Sequence, residues 1–132
     1  MNIYAVIIVF ILILVSLIIL IFFFTRKKRL NIQDKNYFRN ILNKIKDSKK
    51  ASDKEKIIDF DKLYHKILLR MWYKWSFWNI LKSNPKCIKD INKIWKLHKL
   101  RNKLVHSFDS FNLKTLKNSR EEYILEIKNL IK

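Results

Sequence analysis

The stretch "SDKEKIIDFDKLYHKILLR", Ser52 to Arg70, decides the fold because it predicts a long amphipathic helix with a defined start. Glu55 stands three positions after Ser52, the spacing of a capping box in which each side chain satisfies a backbone N–H group. Apolar residues then recur at steps of three and four, which places them on one helix face. They are Ile57, Phe60, Tyr64, Ile67, Leu68 and Met71. The folded part of the chain therefore starts with a helix that has a face to bury.

The same pattern predicts three more helices downstream. A short helix starts at a cap on Ser76 and stops before Pro85, because the residue preceding a proline is pushed out of the helical region. The third helix runs from about Ile88 to Val105, and the fourth starts at a cap on Asn112 and continues to the end. No alternating strand pattern, glycine-rich loop or repeat is present. Residues 53–132 are thus expected to form an all-α four-helix bundle, which is small enough to benefit from pairing with a second copy.

Upstream of the bundle, the chain opens with an apolar segment from Ile3 to Phe24 that contains no charged residue. A helix of this length rises about 33 Å, and the hydrocarbon core of a bilayer is about 30 Å thick. A cleaved signal peptide would need a positive n-region and a small-residue cleavage site, and neither is seen. We therefore expect an uncleaved transmembrane anchor, with its basic flank, over residues 1–29.

Four basic residues follow the apolar segment directly: Arg26, Lys27, Lys28 and Arg29. Positive loops stay on the cytoplasmic side, so we expect a single-pass protein of the cell membrane, with its N-terminus outside and its C-terminal domain in the cytoplasm. The same four side chains are expected to contact anionic lipid headgroups.

Residues 30–52 form a basic segment with few apolar positions. The apolar residues that it has recur at helical spacing: Tyr37, Phe38, Ile41, Leu42 and Ile45. An interfacial helix on the membrane surface and a solvated, partly helical linker both fit this pattern. Residues 26–56 hold 12 basic and 4 acidic residues, a net charge of +8, so proximity to lipid explains much of the positive charge.

The formal net charge of the whole chain is +18, with 29 basic and 11 acidic residues. Such a field attracts anionic lipid or nucleic acid. Heavy use of Lys, Asn and Ile with no Gly is also typical of an AT-rich coding sequence, which weakens the charge as a sign of RNA binding. Cys87 is the single cysteine and no Cys/His cluster has zinc spacing, so neither a disulfide, a metal nor a cofactor is predicted.

An aromatic cluster follows the first helix of the bundle. It comprises Trp72, Tyr73, Trp75, Phe77 and Trp78. These rings suit a platform on which nucleic-acid bases stack. Aromatic runs in small helical proteins more often belong to the core or wedge into the membrane interface.

Polar side chains concentrate in "WKLHKLRNKLVHSF", Trp95 to Phe108. Positions four apart share a helix face, so His98, Asn102 and His106 form a polar ridge that Arg101 flanks. On a straight helix His98 and His106 are about 12 Å apart, which is too far for one metal ion. Arg101 and His106 point apart by about 140°, so they meet only if the helix end reorients or two chains contribute.

The "RNKLVH" segment, near the end of the third bundle helix, resembles the R-x4-6-H motif of the HEPN superfamily. "IIDFDKLYHKIL" with "IWKLHKLRNKLVH" also looks like small, uncharacterised, membrane-anchored bacterial proteins with an H-K-L-R-N-x-x-x-H helix; the likeness covers residues 55–131. It implies a HEPN-like homodimer that binds RNA or cuts it without a metal. His106 would be the general acid or base, and Arg101 would hold the phosphate. Asn102 would orient His106 or a phosphate oxygen.

A non-catalytic interpretation fits the same residues. Arg101 can pair with Asp61 or Asp59 of the first bundle helix, and His98 can hydrogen-bond into that network. Such contacts would lock two helices together without chemistry, as suits a membrane-anchored scaffold or adaptor. The two interpretations differ in whether Arg101 and His106 are exposed and face each other, or Arg101 is buried against Asp61.

Overall fold

The protein is seen in a computed structural model that describes residues 2–25, 29–106 and 110–132. These residues form six helices and no strand, which confirms the prediction of an all-α protein. The helices are α1 (Ile3–Thr25), α2 (Ile32–Asp47), α3 (Asp53–Arg70), α4 (Phe77–Lys82), α5 (Ile91–His106) and α6 (Leu113–Leu130).

Helix α1 is long and apolar enough to cross a membrane, over Ile3–Phe22. None of the side chains in this span is buried in the protein. The basic flank predicted to follow it is described only at Arg29, which is exposed; Arg26, Lys27 and Lys28 lie outside the described residues.

Helix α3 is the centre of the bundle. The predicted capping box at its start is confirmed, since the Ser52 hydroxyl accepts from the Glu55 N–H and Glu55 Oε2 accepts from the Ser52 N–H. Its apolar face is buried, and it packs most extensively against α6 and also against α2 and α5. This arrangement brings the polar residues of α3, α5 and α6 together inside the bundle.

The helix expected from the spacing of the apolar residues in 30–52 is present as α2, and it packs in the bundle, a position that neither expectation gave. Its N-cap is Asn31, whose side chain accepts from the Asp34 N–H. Phe38 and Leu42, four positions apart, are 2% and 1% exposed and join the same hydrophobic cluster as α3. The helical spacing of these apolar residues predicts an apolar helix face, but the pattern does not distinguish a face that meets protein from one that meets lipid. The bundle therefore has five helices and begins before residue 53.

The remaining helix boundaries lie close to those predicted. Ser76 caps α4 by accepting from the Asn79 N–H, and the helix ends at Lys82, ahead of Pro85. Helix α5 begins at Ile91, three residues later than expected, because Asp90 accepts from the Lys93 N–H and caps it there. Asn112 caps α6 as predicted.

Candidate functional site

A buried carboxylate, Asp61 on the inner face of α3, is the centre of the polar cluster. It is 3% exposed. Its Oδ1 accepts from His98 Nδ1 of α5 at 2.9 Å and from the Tyr123 hydroxyl of α6 at 2.7 Å. Arg101 Nε lies 3.5 Å from its Oδ2. One carboxylate therefore joins three helices.

A second set of contacts closes the cluster along α5. Arg101 Nη1 donates to Asn102 Oδ1 at 2.9 Å, and the Asn102 amide nitrogen lies 3.4 Å from His98 Nε2. We call Asp61, His98, Arg101, Asn102 and Tyr123 the Asp61 network. Ring packing closes it toward α4, because Phe77 meets the His98 ring edge-on with centroids 4.7 Å apart.

The direction of each hydrogen bond from Arg101 to Asp61 follows from the guanidinium group of Arg101. Arg101 has donors only, so it must face the oxygen of the Asn102 amide, and the amide nitrogen then faces His98. That nitrogen donates, so His98 Nε2 accepts and His98 Nδ1 carries the proton that goes to Asp61. The chain of donors therefore runs from Arg101 through Asn102 and His98 to the carboxylate.

Arg101 also neutralises charge without completing its hydrogen bonds. Its side chain is 25% exposed, and its Nε, shielded from solvent, makes no hydrogen bond to any described residue. The 3.5 Å contact with Asp61 is an ion pair and is too long for a good hydrogen bond. A buried carboxylate is costly without a nearby cation, so the charge of Arg101 is its main contribution to the carboxylate.

Tyr123 stays protonated as a donor to Asp61. Burial raises its pKa well above the ordinary value of 10.0, and the negative charge of Asp61 and the hydrogen bond to it raise the pKa further. Arg101 partly offsets this effect. The phenol thus remains a neutral donor to the carboxylate throughout the physiological pH range.

Two of the three residues expected to form an RNase site, Arg101 and Asn102, are hydrogen-bonded to each other. Arg101 and Asn102 are half-buried and turned into the Asp61 network, together with His98. His106 is exposed at the end of α5, and in the described part of the chain no hydrogen bond or ion pair joins it to Arg101 or Asn102. The other carboxylate weighed as a partner, Asp59, lies on the outer side and pairs with Lys62 at 3.6 Å.

Tyr123 is the member of the network that sequence analysis missed. Its position on the inner side of α6 predicts only an apolar contact. The hydrogen bond that its hydroxyl donates to Asp61 is what makes it a member of the network. A buried tyrosine usually needs a polar partner, so an inner-face tyrosine was a usable signal. Nothing in the sequence indicated that the partner would be Asp61.

A groove on the surface lies elsewhere, between α5 and α6. It has a volume of about 890 Å³, and its lining includes Trp78, Trp95, Lys96, Lys99 and Lys103. None of the described residues that line this groove belongs to the Asp61 network. No group of three or more potential metal ligands is found among the described residues.

Comparison with known proteins found no matching family model, no matching curated protein and no matching solved structure. The HEPN-like assignment stays a prediction, and the function is argued from the geometry of the chain itself.

Proposed function

We propose that this protein is a single-pass membrane protein whose basic helical domain, residues 30–132, acts as a non-catalytic scaffold or adaptor on the cytoplasmic side. The Asp61 network is its structural lock. The observation that carries this proposal is the arrangement of the network: Tyr123 and His98 donate to one buried carboxylate, and the Arg101 guanidinium forms an ion pair with it.

A lock of this kind explains why polar residues occupy the inside of so small a bundle. Removing one partner of a buried ion pair leaves an uncompensated charge, which typically costs about 3–5 kcal/mol. Helices α3, α5 and α6 therefore have one well-defined arrangement that satisfies Asp61. A rigid helical surface with a net positive charge suits the binding of an acidic partner.

The membrane part of the proposal rests on α1 and its flank. An isolated helix with an apolar surface all round is unfavourable in water and favourable in hydrocarbon. Arg29 and the three preceding basic residues would stay on the cytoplasmic side and contact anionic headgroups.

The test of this proposal combines stability with an RNA assay on the full chain in detergent. Arg101→Ala should lower the melting temperature markedly, whereas Lys103→Ala, which removes an exposed charge two positions along the same helix, should leave it nearly unchanged. Wild-type protein should leave RNA intact in the presence of EDTA. An Arg101→Ala protein as stable as the wild type would remove the main support for the lock.

A second function is favoured by one specific observation. Asp61 orients His98 through its Nδ1, as a carboxylate orients a catalytic histidine, and the half-exposed Arg101 and Asn102 lie beside it. On this alternative the domain is a HEPN-like RNA-binding module or metal-independent endoribonuclease. A homodimer would bring His106 of each copy toward the Arg101 of the other.

The RNase alternative makes different predictions for the same preparation. The full chain would cleave RNA in the presence of EDTA, and His106→Ala would abolish cleavage without lowering the melting temperature, because His106 is exposed. The protein would also be dimeric, and RNA binding would weaken steeply with salt. A wild type as inert as His106→Ala would exclude the enzyme.

A further inference from the structure

Helix α3 ends in a left-handed turn at a tryptophan. The Tyr73 N–H donates to the Leu68 carbonyl at 3.2 Å and the Trp72 N–H donates to the Leu69 carbonyl at 3.1 Å, the pattern of a Schellman motif. Trp72 has a φ of 70°, where glycine is the usual residue. The chain contains no glycine. Asparagine also tolerates this conformation, and the chain contains many asparagines. A bulky residue held in this conformation is a candidate for a functional role.

The turn presents its tryptophan to the outside. Trp72 is 72% exposed, and Trp75, three residues further on, is 62% exposed. Leu69 in the last turn of α3 and Ile32 at the start of α2 are also exposed. We call Ile32, Leu69, Trp72 and Trp75 the aromatic end. Large exposed apolar side chains on neighbouring segments are typical of a contact surface. The Trp75 carbonyl oxygen, 3.3 Å from His65 Nε2, places that residue beside α3.

The aromatic end lies where the chain enters the bundle. Arg70 Nε donates to Asp34 Oδ1 at 2.9 Å, which fixes the end of α3 beside the first turn of α2. One helical turn further in, Lys66 Nζ donates to the Tyr37 hydroxyl at 3.3 Å, so α2 and α3 run side by side from this end. The start of α2 and the Trp72 turn are therefore at the same end of the bundle.

The connection to α1 is short. Helix α1 ends at Thr25 and α2 begins at Ile32. Seven residue steps span at most about 25 Å when fully extended. The polar headgroup region adds several ångströms to each side of the hydrocarbon core. If α1 spans a bilayer, the aromatic end is held within reach of the headgroups.

The charges around the aromatic end suit an anionic surface. Residues 65–75 contain Lys66, Arg70 and Lys74 and no acidic residue. Asp34, the acidic residue on the facing turn, pairs with Arg70, so Lys66 and Lys74 supply the net positive charge here. Each basic residue close to an anionic leaflet adds to the attraction. Tryptophan rings favour the same depth, because they are largely apolar and carry one N–H donor.

We propose that the aromatic end docks onto the anionic lipid surface of the membrane that α1 spans, with Trp72 and Trp75 inserted at headgroup level. This inference rests on the proposed membrane anchor and adds to it an orientation: the bundle rests with the α2 start and the α3 end against the bilayer. Lipid is the occupant that the tether brings to this end, and the basic residues around the rings complement its charge.

The test uses the full chain in vesicles of phosphatidylcholine and phosphatidylglycerol whose acyl chains are brominated, because bromine quenches nearby tryptophan. The chain has four tryptophans, so two double variants separate them. Trp78→Phe with Trp95→Phe leaves the rings of the aromatic end, and Trp72→Gly with Trp75→Ser leaves the other two. Fluorescence of the first variant should be quenched at least about twofold more than that of the second, as expected for rings at the membrane interface.

Flotation of the same vesicles separates the two proposals. A wild-type chain that fails to float with vesicles after alkaline extraction overturns the anchor and the docking surface together. A chain that floats, while both variants are quenched equally little, overturns the docking surface alone. Protection of Trp72 and Trp75 from aqueous acrylamide without quenching by bromine also overturns it, since a protein partner or second copy would then cover this end. Single variants Trp72→Gly and Trp75→Ser repeat the comparison if a double variant misfolds.

Discussion

The Tyr123 hydroxyl donates to Asp61 Oδ1 at 2.7 Å, and the two residues are 62 positions apart in the chain. This hydrogen bond ties the last helix to the central one at a point where both side chains are buried. Asp61 also carries the contacts of His98 and Arg101, so α6 is connected through it to α5. The packing of three helices therefore depends on the polar contacts of this carboxylate.

Tyr123→Phe is expected to lower the free energy of unfolding by about 1.5–3 kcal/mol, because a hydrogen bond to a charged group is lost and ring packing is kept. The measurement is chemical denaturation of the full chain in detergent. Tyr37→Phe is the matched control, since its hydroxyl accepts from Lys66 at the surface and should contribute little. Equal effects of the two substitutions would contradict the role assigned to Asp61.

Phe38→Ala is expected to destabilise the bundle by about 3–5 kcal/mol, because it removes a fully buried ring from the core. Tyr37→Ala, at the neighbouring exposed position, should cost much less. The same denaturation experiment measures both. A loss of unfolding free energy for Phe38→Ala no greater than for Tyr37→Ala would contradict the packing of α2 in the bundle and favour the linker interpretation.

The caps at Ser52 and Asn112 were predicted from local signals, whereas the Asp90 cap of α5 was not. The helical periodicity was enough to predict α3, α5 and α6, since local patterns set local structure. It was not enough for α2, because Phe38 and Leu42 make the same stripe whether they meet lipid or protein. The pairing of Arg101 and His98 with Asp61 could be stated as one alternative, since the residues were visible in sequence. That this pairing forms is known only from the packing of α3 against α5, a long-range property that no local pattern carries.

Trp72→Gly is expected to raise the free energy of unfolding by about 1 kcal/mol, because glycine adopts a φ of 70° without the strain of a side chain. Trp75→Gly is the control: Trp75 is not among the residues with positive φ, so glycine there should destabilise or have no effect. Denaturation in detergent measures both without a bilayer. A loss of stability for Trp72→Gly would show that the ring contributes to the fold and weaken its assignment to a surface.

The capping box predicts a dependence on acid. Hydrogen bonds from the Ser52 backbone and hydroxyl lower the pKa of Glu55 below its ordinary value of 4.5. A lowered folded-state pKa means that the contribution of Glu55 is present above pH 4.5 and is lost as the pH falls through the folded-state value. Wild type and Glu55→Gln should therefore differ in unfolding free energy at pH 7 and converge toward pH 3. A constant difference across this range would contradict the cap.

The position of the ring proton in neutral His98 is set by the Asp61 network. Arg101 donates to the Asn102 oxygen and the Asn102 amide nitrogen faces Nε2, so neutral His98 should carry its hydrogen on Nδ1 and donate it to Asp61. Neutral histidine in water favours the other tautomer, so long-range ¹H–¹⁵N correlation spectra can distinguish the two. Exposed His106 is the internal control and should show the ordinary form. In Asn102→Ala the acceptor role of Nε2 is no longer enforced, but Asp61 still holds Nδ1–H, so the Nδ1 tautomer should persist. A His98 signal with the hydrogen on Nε2 would contradict the hydrogen bond to Asp61, because Nδ1 would then have no hydrogen to donate to the carboxylate.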